Sequence, residues 1–106
     1  MKILINECFG GFGFSEAAEQ AIANRKGWRN PYAVGHFYEI LRSDEVVIDL
    51  YEFKGSKWLS GDYANLVLVE IPDGVDYHIF EYDGFETLIW SETPLHFAKA
   101  IDAEED

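Results

Sequence analysis

The side chains able to perform covalent or metal chemistry are few and widely separated. Cys8 is the only thiol, and His36, His78 and His96 are the only imidazoles. A cysteine nucleophile needs a base beside it, and a structural zinc site needs ligands at HxxxH or CxxC spacing, which this chain lacks. The sequence therefore predicts an unreactive Cys8, no metal site and no cofactor. Three functions are considered: a binding protein, a protein that captures a small ligand, and an enzyme that uses Cys8 or paired carboxylates. The enzyme is the least favoured of the three.

Carboxylates are concentrated near two predicted turns, Pro72-Asp73-Gly74 and Asp83-Gly84. General acid–base catalysis needs two carboxylates in unlike environments within one cleft. Side chains at hairpin ends are usually exposed, so we expect these acids to steer a partner by their charge. The acids in question are Asp73, Asp76, Glu81, Asp83 and Glu86.

A glycine-rich loop, Gly10-Gly11-Phe12-Gly13, joins a predicted strand to a predicted helix. It lacks the lysine of a phosphate-binding loop and the GxGxxG spacing. We predict a tight turn whose phenylalanines pack or contact a partner. The alternative is capture of a nucleotide at the loop and helix N-terminus, which requires Arg25, Arg29 or Arg42 to converge there. The predicted partner- or ligand-binding residues are Phe9, Gly10, Gly11, Phe12, Gly13, Phe14, Ser15, Asp73, Asp76, Asp83 and Glu86.

The elements that position these residues follow from local patterns. Residues 2–6 predict a strand, and residues 16–26 predict a helix with Ser15 as N-cap and Gly27 as its stop. A second helix is predicted over 44–54, capped by Ser43 or Asp44 and ended by Gly55, although its β-branched residues keep a strand open. Residues 28–34 indicate a connection, 36–41 are ambiguous between strand and helix turn, and 56–63 indicate a polar loop.

The C-terminal part predicts a β-meander with strands at 65–71, 75–79 and 85–90. Pro72-Asp73-Gly74 and Asp83-Gly84 are its turns. The expected fold is therefore α+β, with a small antiparallel sheet (the N-terminal strand plus a C-terminal three-stranded meander) packed against one or two helices. We expect a single domain over 1–101 and an acidic tail over 102–106.

The net charge is −12, from 20 acidic and 8 basic residues. Direct nucleic-acid binding is not expected, because it depends on lysine and arginine. An acidic surface suits solubility, a basic protein partner or imitation of a nucleic-acid backbone. No segment has about 18 consecutive apolar residues, so no membrane span is expected. The single cysteine and the short apolar run after the first residue favour the cytoplasm over secretion.

Three stretches together resemble a family of small bacteriophage and prophage proteins: MKILINECFGGFGFSEAA, RSDEVVIDLYEFKG and LVLVEIPDGVDYHIFEYDGFETLIW. Members have an N-terminal GGFG-S loop and C-terminal IPDGV…YDG-E hairpins. Glu45 stands where the family tends to have proline, and residues 28–41 match nothing in that pattern. The resemblance implies a phage-related origin and the cytoplasm of an infected bacterium as location. It implies no catalytic residue.

The leading hypothesis is a non-enzymatic binding protein of phage origin. It would inhibit a host anti-phage defence system, as anti-CRISPR proteins do, by docking on a basic host surface. A homodimer is also compatible with the expected open sheet edge.

Overall fold

The computed structural model describes residues 1–91 and stacks them in three layers: a helical layer, a central two-stranded sheet and a β-hairpin. This confirms the α+β class. The predicted tail at 102–106, His96 and the last residues of the predicted domain lie outside the described residues. In chain order the elements are β1 (Lys2–Asn6), α1 (Glu16–Lys26), a 3₁₀ helix (Pro31–His36), α2 (Tyr38–Leu41), α3 (Glu45–Lys54), α4 (Ser56–Leu59), β2 (Leu66–Glu70), β3 (Asp76–Tyr82) and β4 (Phe85–Ser91).

The helix predicted after the glycine loop is confirmed as α1. The Ser15 hydroxyl accepts a hydrogen bond from the Ala18 backbone N–H at 3.0 Å, which is the predicted N-cap. Gly27 ends the helix in the left-handed region, at φ 74°. Ala18 and Ile22 are fully buried on its inner face.

The second predicted helix is confirmed as α3, which removes the strand alternative. Asp44 is the N-cap, because its carboxylate accepts from the Val46 N–H at 2.9 Å. Val47 and Leu50 are buried against the helical core, and that packing outweighs the weak helix propensity of the β-branched residues.

The polar loop predicted over 56–63 is wrong in its first half, where the chain forms α4. Four residues are too few for a helical period to be visible in sequence. Leu59 of this turn is fully buried, and the Ser60 hydroxyl donates to the Ser56 carbonyl at 2.7 Å. The connection predicted over 28–34 likewise contains the start of the 3₁₀ helix, and the ambiguous segment 36–41 contains α2 and is therefore helical.

Strands β1 and β2 form the central layer and are antiparallel, with Leu4 opposite Leu68. Leu4 packs among the helices, whereas Ile3 and Ile5 pack with Ile71 on the opposite face. Both faces of this sheet are therefore covered, which explains its almost continuous apolar sequence.

The predicted three-stranded meander is wrong in its pairing. Strand β2 pairs with β1, and β3 pairs only with β4 among the described residues. The physical reason is burial: the outer face of the central sheet is apolar, and the hairpin covers it face to face through Ile79 and Leu88. A strand added at the edge of β2 would leave that face in water.

The turn Asp83-Gly84 is confirmed as a two-residue hairpin connection between Tyr82 and Phe85. Both turn residues have positive φ, 50° and 90° respectively, as a type I′ turn requires. Gly84 also lies against the glycine loop: a Cβ there would come within 2.4 Å of the Gly11 nitrogen and 2.6 Å of the Phe9 oxygen. The hairpin tip is thus docked on the loop after β1.

We expect Gly84→Ala to destabilise the protein more than Gly74→Ala. Both glycines have positive φ, so both substitutions carry about 1 kcal/mol of backbone strain. Only at Gly84 does the new methyl group collide with backbone, whereas a Cβ at Gly74 meets nothing within 4 Å. Urea unfolding should show an extra loss of about 1–3 kcal/mol for Gly84→Ala. Equal losses would show that the tip is not docked on the loop.

We expect the stabilisation supplied by Asp44 to depend on pH. Burial alone would raise the pKa of this carboxyl, but the hydrogen bond from Lys26 and the N–H of Val46 outweigh burial and lower it. Because the pKa is lower in the folded state, the charged carboxylate stabilises the protein at pH values above the ordinary aspartate pKa of about 3.9. This stabilisation is lost as the pH falls through the lowered pKa of the folded state. Asp44→Asn keeps the N-cap, so it isolates the charge.

The melting temperature of Asp44→Asn should lie below that of the unsubstituted protein by about 3 °C at neutral pH, a value reduced by solvent screening. The difference should shrink toward zero below about pH 3. The control is Asp49→Asn, because Asp49 is exposed on α3 and caps nothing. A pH-independent difference for Asp44→Asn would refute the charge argument.

Candidate functional site: an acidic hairpin fixed by a buried ion pair

A buried ion pair joins the helical layer to the hairpin. Arg42 follows α2 and Glu86 lies on β4, and their side chains are only 8% and 7% exposed. The guanidinium donates from both terminal nitrogens to both carboxylate oxygens, at 2.8 and 2.6 Å. This two-point geometry is the strongest form of an arginine–carboxylate pair.

Arg42 is also bonded to the edge of β1. Its terminal nitrogen donates to the Leu4 carbonyl at 3.0 Å, and the Leu4 N–H donates to the Arg42 carbonyl at 2.8 Å. The ring of Phe12 lies 4.4 Å from the guanidinium carbon, as a cation–π contact requires. Burial lowers the pKa of Arg42, but the hydrogen bonds and charge of Glu86, with Glu39, outweigh burial and raise it. The arginine therefore stays charged.

Asn6 completes the network beneath the hairpin tip and is fully buried. Its backbone N–H donates to the Glu86 carboxylate at 2.8 Å, and its side-chain amide donates to the carbonyls of Cys8 and Gly84 at 2.7 and 2.8 Å. Its side-chain oxygen accepts from the Asn65 N–H at 2.8 Å. Every buried side-chain polar atom among residues 1–91 has a partner. The network is therefore fully satisfied, as a buried polar group requires.

The glycine loop is closed by protein contacts. Gly10 lies against Tyr63 so closely that a Cβ would come within 2.0 Å of the Tyr63 oxygen. The Gly13 carbonyl accepts from the Gly61 N–H, and the Ser15 N–H donates to the Leu59 carbonyl, at 2.8 and 2.9 Å. Gly10 thus allows close backbone packing and Gly11 supplies a positive φ of 98°, as the tight-turn interpretation predicts.

The helix N-terminus next to this loop is poorly suited to an anion. The Ser15 hydroxyl is occupied, because it accepts from Ala18 and donates to the Trp58 carbonyl at 2.7 Å. Glu16 and Glu19 lie in the first turn, where their charge repels phosphate. Arg42 is bound to Glu86, and Arg25 lies about 15 Å along α1 from Ser15. Of the arginines named for nucleotide capture, Arg42 contacts the loop through Phe12 but is bound to Glu86, and Arg25 lies away from the loop.

The three phenylalanines of the loop have different surroundings. Phe14 is buried at 6% exposure and Phe12 packs edge-on against it, with ring centroids 5.3 Å apart. The expectation that Phe14 is presented to a partner is wrong, because it belongs to the helical core. Phe9 is 62% exposed, with its ring 5.2 Å from that of Phe85 on the hairpin. Of the three, Phe9 is the ring most available to a partner.

The predicted acidic residues also differ in their surroundings. The expectation that Glu86 is an exposed steering charge is wrong, because its charge is buried against Arg42. Asp73 is exposed and lies 2.7 Å from the N-terminal amine, which lowers its pKa. Asp76 and Asp83 are exposed at opposite ends of β3, about 20 Å apart. The acids form an extended charged surface along the hairpin instead of one cluster.

The hairpin has one packed face and one outer face, since alternate residues of a strand point to opposite sides. We call the outer aromatic side, together with Phe9, the hairpin surface. Its exposed fractions include 78% for Tyr82 and 43% for Ile89, while His78 and Phe80 pack ring to ring at 4.5 Å. The residues of the hairpin surface are Phe9, His78, Phe80, Tyr82, Phe85 and Ile89.

Sequence reasoning missed most of this surface and the network beneath it. The alternation of residues 78, 80 and 82 was the available signal, because three rings two positions apart share one face of a strand. Nothing in the sequence pairs Arg42 with Glu86, which are 44 positions apart.

Cys8 is half-buried in the loop after β1, where its carbonyl accepts from Asn6. Among residues 1–91, no three histidine, cysteine, aspartate or glutamate side chains are grouped as metal ligands would be. In the same range, no helix has the length and apolar character needed to cross a bilayer.

No protein-family model, curated protein or solved structure matches this chain. The physical properties of the hairpin therefore carry the functional argument.

A double-mutant cycle should show strong coupling between Arg42 and Glu86. Arg42→Met or Glu86→Gln alone leaves a buried, uncompensated group and should cost about 3–5 kcal/mol. The double variant should cost at least about 2 kcal/mol less than the two losses added, because neither charge remains unpaired. Additive losses in urea unfolding would contradict the coupling.

The matched control is Glu39→Gln, which removes the other carboxylate bound to Arg42. Glu39 is 84% exposed and reaches the Arg42 Nε at 3.3 Å, so its loss should cost less than about 1 kcal/mol.

Proposed function

We propose that this protein is a non-enzymatic binding protein of phage origin that inhibits a host anti-phage defence system, such as a CRISPR effector. It acts in the cytoplasm of the infected bacterium by docking on a basic surface of a host protein. The phage origin and the defence target are supported by the sequence motifs named above. The docking mode is supported by the charge and exposure of the hairpin.

One observation carries the docking proposal: the charge is separated along the chain. Residues 1–57 contain seven lysines and arginines against eight acids, so that part is nearly neutral. Residues 58–91 contain seven acids and no lysine or arginine. Five of these seven acids, from Asp73 to Glu86, lie in or directly before the hairpin, so the described part of the chain concentrates its unbalanced negative charge there.

Few of these acids are neutralised within residues 1–91. Arg42 binds Glu86, and the N-terminal amine lies against Asp73. Glu81 and Asp83 are exposed beside Tyr82 and take part in no ion pair of the described chain. Their field attracts a basic surface and increases the rate of encounter.

The hairpin surface supplies the apolar contact that charge alone lacks. Aromatic side chains lose little conformational entropy on binding and are enriched at the centres of protein interfaces. Exposed rings of Phe9 and Tyr82 flanked by acids thus match a partner whose basic rim surrounds an apolar centre.

The test is phage plating on bacteria that carry a defined defence system, with and without expression of this protein. The unsubstituted protein should restore plating. Glu81→Lys with Asp83→Asn should reduce the affinity for the target at least about tenfold, because it places positive charge against a basic surface. Pull-down of the target should weaken as salt rises.

The matched control is Asp49→Lys with Glu45→Gln on α3, which changes the net charge by the same amount away from the hairpin. Both residues are exposed. Retained activity in the control with loss in the hairpin variant supports the proposal. The proposal is refuted if the unsubstituted protein restores plating against none of the tested systems, or if both variants lose the same amount of activity.

A further inference from the structure

The outer edge of β3 is uncovered within the described chain. Tyr82 and Phe85 flank a two-residue turn, so they and every second pair from them exchange hydrogen bonds across the hairpin. The N–H and C=O groups of Tyr77, Ile79 and Glu81 therefore point away from β4. No backbone bond within residues 1–91 reaches them.

The edges of the central sheet, formed by β1 and β2, are better covered than the outer edge of β3. The edge of β1 is covered by Arg42 and Glu86, which bond to the backbone of Leu4 and Asn6. The start of β2 is covered by α4, because the Leu66 N–H donates to the Ser60 hydroxyl and its carbonyl accepts from Ser56. Such coverage is a common defence against unwanted strand pairing, and within residues 1–91 none of it reaches the backbone of Tyr77, Ile79 and Glu81.

A cleft of about 440 Å³ runs beside this uncovered edge, between β3 and α2. Glu39 forms one wall, and Tyr77, Ile79 and Glu81 form the other. Arg42 and Glu86 also border the cleft, and the Arg42 guanidinium is bound to Glu86 and to Glu39, so the three acids and one arginine leave a net negative charge there. The cleft therefore presents the negative charge of Glu39 and Glu81 alongside backbone donors and acceptors that no backbone group of residues 1–91 engages.

We infer that the partner is engaged by strand addition: an extended segment with alternating basic and apolar residues pairs with the outer edge of β3. This inference rests on the proposed function and names the chemistry of the partner segment. Alternate side chains of an added strand point to opposite faces of the sheet. The basic ones enter the cleft beside Glu39 and Glu81, and the apolar ones lie beside Tyr82 on the hairpin surface.

Charge complementarity favours this occupant over a second copy of the chain. Two copies joined at β3 would bring their Glu81 side chains, and two chains of net charge −12, together. Like charges opposed across a pair of strands are destabilising. A lysine- or arginine-bearing segment turns the same charges into attraction.

The first experiment uses a capped peptide of alternating lysine and valine as the probe, titrated into the full-length ¹⁵N-labelled protein. Amide exchange of Tyr77, Ile79 and Glu81 should slow at least about fivefold, because the added strand bonds these N–H groups. The amides of Leu68 and Glu70 on the outer side of β2 serve as internal controls and should be unchanged. Two further peptides, one with glutamate in place of lysine and one with N-methylated valines, should give no protection.

Protection at β2 instead of β3, or equal binding of the N-methylated peptide, overturns the inference. Slow exchange at β3 that appears without peptide and grows with protein concentration would identify a second copy as the occupant and also overturn it.

The second experiment separates this inference from the proposed function. Tyr77→Pro removes one outward N–H without removing a β3–β4 hydrogen bond, a position where a strand tolerates proline. Its fold is checked by the amide spectrum, and the N-methylated peptide provides the same test without a mutation. Tyr77→Pro should abolish both the protection by the peptide and the restoration of phage plating.

If Tyr77→Pro still restores plating but Glu81→Lys with Asp83→Asn does not, docking stands and strand addition is wrong. If the peptide protects β3 but the unsubstituted protein never restores plating, the proposed function is wrong.

Discussion

The ion pair of Arg42 and Glu86 determines how the layers of this protein are assembled. Within residues 1–91 the hairpin shares no strand ladder with the central sheet, so it is held by the packing of Ile79 and Leu88 and by polar contacts. Burying two charges is costly unless every donor and acceptor is satisfied. Here the backbone of β1 and the Glu39 carboxylate supply the remaining partners, which ties the helical layer, the central sheet and the hairpin to one set of hydrogen bonds.

Fixing the hairpin in this way leaves its other side available. A two-stranded hairpin is marginal alone, and this one gains stability by covering the outer face of the central sheet. Its packed face is occupied by that contact, and on the opposite face Tyr82 and Ile89 are exposed. Exposed apolar side chains grouped on one face are typical of interaction surfaces.

The charges are also distributed unequally between the hairpin and the rest of the fold, which we call the scaffold. The helical part balances its acids with lysine and arginine, in pairs such as Lys26 with Asp44 and Lys2 with Glu52. The hairpin contains acids but no lysine or arginine, and within residues 1–91 the arginine that binds one of these acids, Arg42, is buried. The scaffold is thereby nearly neutral, while the exposed element carries a field suited to attracting a basic protein.

The sequence by itself determined the local elements. Ser15 and Gly27 bound α1, Gly55 ends α3, and Asp83-Gly84 makes the hairpin, because caps and turns depend on neighbouring residues. The packing of Val47 and Leu50 decided that α3 is a helix and not a strand. Only the tertiary structure decided which strands pair, that Glu86 and Phe14 are inside, and that Phe9 and Tyr82 are outside. These outcomes depend on contacts between residues up to 80 positions apart, such as Asn6 with Glu86, and on burial of whole faces. A sequence pattern records which face of an element is apolar but not which other element covers it.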